Sequence, residues 1–222
     1  MTAHLGKFNL SVLNEPGSKS SWVSQIIIHP DWKPQDQNFD ADLAVVVLGK
    51  EVEFSEFIQP VSLPPQSEND VTGRGTIAGW GQSKHSIQFN GKYEELPMEL
   101  EMPVVRGAKC YPRFPRLADI ASERMFCAGY DSETKGACFG DSGAGFYVSN
   151  PSSAEQFQVI GIVSSSLVDN HTCDVNKFSL NTNLQWFVDW IKNKMKQTKE
   201  IVWTEVKLTC KDDPWCVKFL LN

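Results

Sequence analysis

The stretch Cys138-Phe139-Gly140-Asp141-Ser142-Gly143-Ala144-Gly145 is the most informative part of this sequence. Small residues surround a single serine, and glycine permits both an exposed hydroxyl and the close approach of a carbonyl group. Adjacent backbone N–H groups can then point at a developing oxyanion. By itself the stretch leaves two interpretations open: a nucleophile at Ser142, or an ordinary glycine- and serine-rich turn.

The segments around this stretch have the pattern of β-strands. Short apolar runs with glycine and proline turn signals between them favour an all-β sandwich or barrel over alternating strands and helices. Helical spacing of apolar residues occurs at 183–195, and three prolines within 103–125 limit any helix there to a short one. The strand candidates are Val23–Ile28, Leu43–Leu48, Gly75–Trp80 and Val159–Ser164.

Composition excludes several classes of function. The chain has 222 residues, 41% of them hydrophobic and 22% charged, which suits one globular domain or two small ones. Its formal net charge of -6 argues against a nucleic-acid-binding protein, which needs a basic surface. No run approaches roughly 18 apolar residues, so the sequence predicts no membrane span.

The cysteines and glycosylation sequons indicate an oxidising compartment. An even number of cysteines without a CxxC pair favours disulfides over zinc, and the four histidines do not cluster with the cysteines, so we expect neither a metal nor a cofactor. Two sequons, Asn9-Leu10-Ser11 and Asn170-His171-Thr172, fit a secreted protein. Since the chain from Met1 shows no signal peptide, we expect its start to be missing or removed. The six cysteines are Cys110, Cys127, Cys138, Cys173, Cys210 and Cys216.

In order along the chain, seven segments resemble those of the trypsin/chymotrypsin-type (S1) serine proteases. The resemblance covers residues 5–197 and implies an all-β fold, a chymotrypsin-like double six-stranded β-barrel with a C-terminal helix, in which the first barrel is incomplete. Besides the stretch around Ser142, the segments are Ile26–Pro30, Asp42–Leu48, Ile58–Pro64, Ala78–Gly81, Met125–Tyr130 and Phe187–Ile191.

This resemblance implies roles for individual residues. Ser142 corresponds to the nucleophile, and the N–H groups of Gly140 and Ser142 to the oxyanion hole. Asp42 corresponds to the aspartate that holds the catalytic imidazole in its useful tautomer. Asp40 is the competing candidate, but Asp42 directly precedes the Leu-Ala-Val run. Asp141 corresponds to the acid that pairs with a new N-terminal amine on activation.

The resemblance also implies the disulfides Cys110–Cys127 and Cys138–Cys173. For Cys210 and Cys216 two alternatives stay open, a small closed loop between them or membership of a further domain. We expect residues 1–198 to form the peptidase-like domain and 199–222 a C-terminal extension.

The sequence departs from the family at its histidine. Thr2-Ala3-His4 resembles the family's "T-A-A-H-C", but the stretch that should separate it from Leu5 is absent. We therefore expect His4 to be a solvated terminal residue, and His29 to be a strand-end residue. His85 and His171 lie in polar loops. The expectation is a chain that lacks its base and is inactive as given, with unpaired strand edges in the N-terminal barrel and no cation for Asp141.

The residues expected around the specificity pocket differ from those of trypsin-like members. Gly136 stands at the pocket floor, where a carboxylate would favour Lys or Arg. Ser164, Ser166 and Ser179 stand along the walls and predict a narrowed pocket that accepts small apolar side chains. Two functions follow: a secreted, monomeric serine endopeptidase acting on protein or peptide substrates, or a non-catalytic homologue that binds a protein partner.

Overall fold

The computed structural model describes residues 1–33, 35, 38–83, 92–131, 135–149, 157–166, 168–169, 172–173 and 177–205. The side chains of 168–169, 172–173 and 199–205 are not described.

Strands dominate the described chain, with helices between β5 and β6 and at the C-terminal side. The 3₁₀ turn Leu184–Trp186 leads into the last helix. The strands are β1 Thr2–Leu5, β2 Lys19–Ile28, β3 Ala44–Leu48, β4 Arg74–Gly79, β5 Met98–Val105, β6 Met125–Ala128, β7 Gly145–Ser149, β8 Phe157–Ser166, β9 Val168–Asp169, β10 Thr172–Cys173 and β11 Ser179–Asn183. The helices are α1 Gly107–Arg113, α2 Pro115–Ile120 and α3 Val188–Glu205.

Six strands close into an antiparallel barrel in the order β11-β6-β5-β4-β7-β8. Its interior is apolar, because alternate residues of each strand point inward. Met102 and Phe146 are fully buried there, and the rings of Phe126 and Phe146 meet edge to face with centroids 5.3 Å apart. This barrel carries the stretch around Ser142 on the turn that enters β7.

The N-terminal strands form a smaller, open sheet. β1 pairs with β2 and β2 with β3, all antiparallel. The buried cluster beside this sheet consists of Leu5, Val52 and Ile58, with Leu48 packed against it. In the described part of the chain the outer edge of β1 has no strand partner, as the predicted incomplete first barrel requires.

Helix α3 packs beside strand β3. Phe187, directly before the helix, and Ile191, in its first turn, are buried against Leu43 and Ile162. Both belong to the helically spaced apolar residues that the sequence showed at 183–195. The helix continues to Glu205, well past Met195. In the described chain, no helix is both apolar and long enough to cross a bilayer.

The predicted fold class is confirmed: a mostly β protein with a closed six-stranded barrel, a second sheet and a C-terminal helix. The division at residue 198 stays a prediction, because most of the proposed extension lies outside the described residues.

Candidate active site

Ser142 lies exposed on a tight turn between Cys138 and β7. The turn is closed by hydrogen bonds from Asp141 N to Cys138 O (3.0 Å) and from Ala144 N to Asp141 O (2.9 Å). Gly140 and Gly143 adopt φ values of +93° and +87°, which are strained for residues with a Cβ. Glycines at these positions therefore let the chain present the serine hydroxyl to solvent.

The backbone around Ser142 offers free donors. Within the described parts of the chain, the N–H groups of Gly140 and Ser142 donate to no protein acceptor. Two neighbouring unpaired donors beside a serine hydroxyl are the components of an oxyanion hole.

Asp42 lies at the other side of this region, just before β3. Its Oδ2 accepts a hydrogen bond from Ser164 Oγ at 2.7 Å, and its backbone carbonyl accepts one from Thr182 Oγ1 at 3.0 Å. Ala41, directly before it, is fully buried and adopts φ +53°. Strand β8, through Ser164, thus fixes the carboxylate of Asp42, and strand β11, through Thr182, fixes its backbone carbonyl.

Strand β8 connects Asp42 with the Ser142 turn. Gly143 N donates to Val163 O at 2.7 Å, and Val163 N donates to Ala144 O at 2.9 Å. The next residue of the same strand, Ser164, holds Asp42. Two residues 100 positions apart in sequence are therefore brought to one region by consecutive residues of β8.

Burial raises the pKa of Asp42, and the hydrogen bond from Ser164 works in the opposite direction. A carboxylate that is mostly removed from water interacts strongly with a neighbouring cation, because the local dielectric is low. The position suits a residue that stabilises an imidazolium.

Asp141 is held by backbone donors. Its Oδ1 accepts from Gly81 N at 3.1 Å and its Oδ2 from Cys138 N at 2.9 Å. Burial raises the pKa of this carboxyl, while these two hydrogen bonds work to lower it. Within the described residues no cation forms an ion pair with Asp141.

The Gly79-Trp80-Gly81 motif is explained by this carboxylate. A Cβ on Gly81 would lie 2.3 Å from Asp141 Oδ1, and one on Gly79 would lie 2.8 Å from the same atom. Only glycine permits the close approach of the Asp141 side chain. Gly140 is similarly restricted, because the ring of Tyr93 would lie 2.8 Å from its Cβ.

The described histidines lie elsewhere. His4 is on β1, exposed, with its Nδ1 2.8 Å from Ser20 Oγ. His29 is buried, its Nδ1 accepts from Asp31 N at 3.2 Å, and its ring lies 5.0 Å from that of Phe187. Burial lowers the pKa of His29, so the neutral ring is favoured. Neither imidazole contacts Asp42, and His85 and His171 fall outside the described residues.

Asp40 is engaged by a different partner. Arg124 bonds to both of its oxygens, with Nε 3.0 Å from Oδ1, and Ser122 Oγ donates to Oδ1 at 2.6 Å. The same guanidinium reaches Asp31 at 2.9 Å and lies over the Phe187 ring. Sequence reasoning had no signal for this network, since it joins residues more than 80 positions apart.

The four predicted pocket residues are only partly brought together. Ser166 and Ser179 are direct partners in the β8–β11 pairing. Ser179 is buried, and its hydroxyl donates to Ala128 O at 3.2 Å. The Ser164 hydroxyl is directed to Asp42 instead of to a pocket wall. Among the described residues no hydrogen bond joins Gly136 to these serines.

Asn181 is a polar residue of this region that sequence reasoning missed. It is fully buried beside Ser179, with Nδ2 3.3 Å from Ser179 Oγ, and its Oδ1 has no partner among the described residues. The available signal was the alternation along β11, where Ser179, Asn181 and Asn183 share one face of the strand.

The structure contains a disulfide between Cys110 and Cys127, which joins α1 to β6. Cys138 is also disulfide-bonded. The side chain of its predicted partner, Cys173, and both Cys210 and Cys216 fall outside what the structure describes. No group of three or more potential metal ligands occurs within the described ranges.

Comparison with known sequences finds similar proteins along most of this chain. A family model named Trypsin matches residues 1–191. Serine protease gd of Drosophila melanogaster is 31% identical over 217 residues, covering 84% of this chain and 40% of that protein.

Two other relatives come from insects. Phenoloxidase-activating factor 1 of Holotrichia diomphalia is 29% identical, over 78% of this chain and 45% of that protein. A venom protease of Bombus pensylvanicus is 31% identical, over 70% of this chain and 59% of that protein. The chain thus spans less than two thirds of the length of each of these relatives.

Proposed function

Because this chain belongs to the trypsin family of serine proteases, we propose that it is a serine endopeptidase domain whose nucleophile is Ser142. The observation that carries the proposal is the pair of adjacent residues Val163 and Ser164, which hold the Ser142 turn and the Asp42 carboxylate respectively. A domain that only bound a partner would not need the side chains of Ser142 and Asp42 to lie in one region.

In the proposed mechanism Ser142 Oγ attacks the scissile carbonyl carbon while an imidazole takes its proton. Asp42 accepts a hydrogen bond from that imidazole and stabilises its cation. The N–H groups of Gly140 and Ser142 donate to the oxyanion that forms. The imidazole later gives its proton to the leaving amine.

Among the described residues, neither of the two imidazoles, those of His4 and His29, reaches Asp42. His4 is bonded to Ser20, and His29 is packed under α3. We therefore propose that the chain of 222 residues is inactive by itself, and that a segment outside it, of the "T-A-A-H-C" type, supplies the base. Asp141, which has no cation beside it in the described structure, would gain as its partner the new N-terminal amine that forms on activation.

The substrate is proposed to be a protein or peptide with a small apolar residue before the cleaved bond. Gly136 provides no carboxylate for a basic side chain, and Ser166 and Ser179 place hydroxymethyl groups on neighbouring strands. Efficient cleavage after arginine would contradict this preference.

Secretion is proposed from the Cys110–Cys127 disulfide and the two sequons, since structural disulfides persist in oxidising compartments. A monomer with a C-terminal extension from residue 199 remains our proposal for the architecture.

A non-catalytic homologue is the second candidate. It is favoured by the same missing contact: no described histidine reaches Asp42. In that case the fold would serve as a module that binds a protein partner.

A fluorophosphonate probe separates the two functions, since it reacts only with an activated serine. In the complete, activated protein we expect labelling that disappears in Ser142→Ala. Ser24→Ala, at an exposed serine of β2 outside both sequons, is the matched control and should keep the labelling. Lack of labelling in the complete protein favours the non-catalytic homologue. Ser142-dependent labelling of residues 1–222 alone would overturn the proposed inactivity of the isolated chain.

A further inference from the structure

The loop between β1 and β2, residues 6–18, exposes an apolar surface. Four of its residues are apolar and exposed, from 41% for Val12 to 91% for Leu13. Contiguous exposed apolar side chains normally mark a surface that something covers. The four residues are Phe8, Leu10, Val12 and Leu13.

The 6–18 loop is internally organised. Glu15 accepts hydrogen bonds from Phe8 N at 2.8 Å and Asn9 N at 3.0 Å, and its carboxylate lies 3.6 Å from Lys7 Nζ. The hydrogen bond from Phe8 N, helped by those from Asn9 and the charge of Lys7, lowers the pKa of Glu15. These interactions direct the polar groups inward and leave the apolar side chains outside.

The loop is also fixed to the barrel side of the molecule. Trp80 Nε1 donates to Phe8 O at 3.0 Å, and Leu10 N donates to Glu95 O at 2.9 Å. These two hydrogen bonds fix the path of the loop backbone at Phe8 and Leu10.

Asn9 lies in the middle of this surface. Its Oδ1 accepts from Ser11 N at 2.9 Å and from Ser11 Oγ at 2.6 Å. In the described structure the Nδ2 atom of Asn9 donates no hydrogen bond to the protein. It is also not among the buried polar atoms that lack a partner, so it is accessible to solvent. The sequon Asn9-Leu10-Ser11 therefore combines an engaged carbonyl with a free amide nitrogen.

From this geometry we propose that Asn9 carries an N-linked glycan that covers the apolar side chains of the 6–18 loop. The proposal rests on the proposed secretion, because the transfer takes place in the secretory pathway. In that transfer Asn9 Nδ2 bonds to the anomeric carbon of a lipid-linked oligosaccharide. The bond from that carbon to the lipid pyrophosphate breaks, Nδ2 loses one proton, and the lipid pyrophosphate leaves.

The test is expression of the full chain behind a cleavable secretion leader in mammalian cells, followed by peptide mapping. We expect the peptide with Asn9 to carry a glycan that peptide-N-glycosidase removes, converting Asn9 to aspartate. Ser11→Ala should abolish this modification and Ser11→Thr should keep it. Asn14→Gln, in the same loop but outside any sequon, is the matched control and should leave it unchanged.

A second readout tests the covering role on protein that is already folded. Enzymatic removal of the Asn9 glycan from the purified protein should increase the fluorescence of a dye that binds apolar surface, and Ser11→Ala should match that increase. An unmodified Asn9 in the secreted chain would overturn the site, and unchanged dye binding after deglycosylation would overturn the covering role. Neither readout depends on catalysis, so failure here is distinct from failure of the protease proposal.

Discussion

At the scale of single residues, two aspartates separated by one alanine have opposite electrostatic situations. Burial raises the pKa of Asp42, whose carboxylate accepts a single side-chain hydrogen bond, from Ser164. For Asp40 burial also works to raise the pKa, but hydrogen bonds from Arg124 and Ser122 outweigh it, so the pKa is lowered. Asp40 therefore stabilises the folded state in its ionised form. Ionised Asp42 lowers the stability of the folded state, and a catalytic role would explain why the residue is there.

This difference predicts opposite effects of two matched substitutions. Asp42→Asn should raise the free energy of unfolding at pH 8, since it removes a buried charge. Because the folded-state pKa of Asp42 is raised, the gain should shrink as the pH falls through that pKa and the wild-type carboxyl becomes protonated. Denaturant titrations at several pH values measure this.

Asp40→Asn is the control and should destabilise by about 1–2 kcal/mol at neutral pH, because it weakens a partly buried, charge-assisted pair. Its folded pKa is lowered, so its stabilisation is present above the unfolded pKa and is lost as the pH falls through the folded pKa. Equal signs for the two variants at pH 8 would contradict the electrostatic assignment.

At the scale of elements, the turn after β4 and the turn before β7 form one unit. Gly81 N donates to Asp141 at one contact, and Gln82 N donates to Phe139 O at 2.8 Å at another. The candidate oxyanion donors are thus positioned by a segment some 60 residues earlier in the chain. The two turns should respond together to a change in either.

Gly81→Ala tests this coupling. Its Cβ would lie 2.3 Å from Asp141 Oδ1, so the carboxylate must move, and we expect a loss of about 1–3 kcal/mol in the free energy of unfolding. In an Asp141→Ala background the added methyl group meets no carboxylate, and the loss should largely disappear. A double-mutant cycle by chemical denaturation measures the coupling energy. Additive effects would show that the two turns are independent.

At the scale of the whole molecule, the two sheets have unequal cores. The closed barrel surrounds a cluster that includes Met102 and Phe146, whereas the sheet of β1, β2 and β3 has only a few buried apolar residues beside it. Since local stability follows buried apolar contact, the N-terminal sheet should open more easily than the barrel.

Hydrogen exchange should therefore separate the two halves. Amides of β6, β8 and β11 should exchange only through global unfolding, while those of β1 and β2 should exchange by local opening. Mass spectrometry of peptides from the native chain measures this. Equal protection of β1 and β8 would show that the N-terminal sheet is stabilised by contacts other than those described here.

Much of the fold was determined by sequence alone. Short apolar runs between glycine and proline turns predicted the strands at 23–28, 43–48, 75–80 and 159–164. Spaced apolar residues likewise predicted the start of α3. The ordered motifs around Ser142 indicated the family. One of their glycines has a clear physical reason, because a Cβ on Gly81 would lie 2.3 Å from Asp141 Oδ1.

Only the tertiary structure decided which distant groups meet. That Ser164 turns its hydroxyl to Asp42 and that Asp40 is bound by Arg124 both depend on strand register and loop path. Local sequence carries no record of such contacts, because hydrogen bonds between residues 80 to 140 positions apart are set by how strands pair and sheets close. The sequence therefore identified Ser142 and Asp42 as candidates, and the tertiary structure brought them to one region through strand β8.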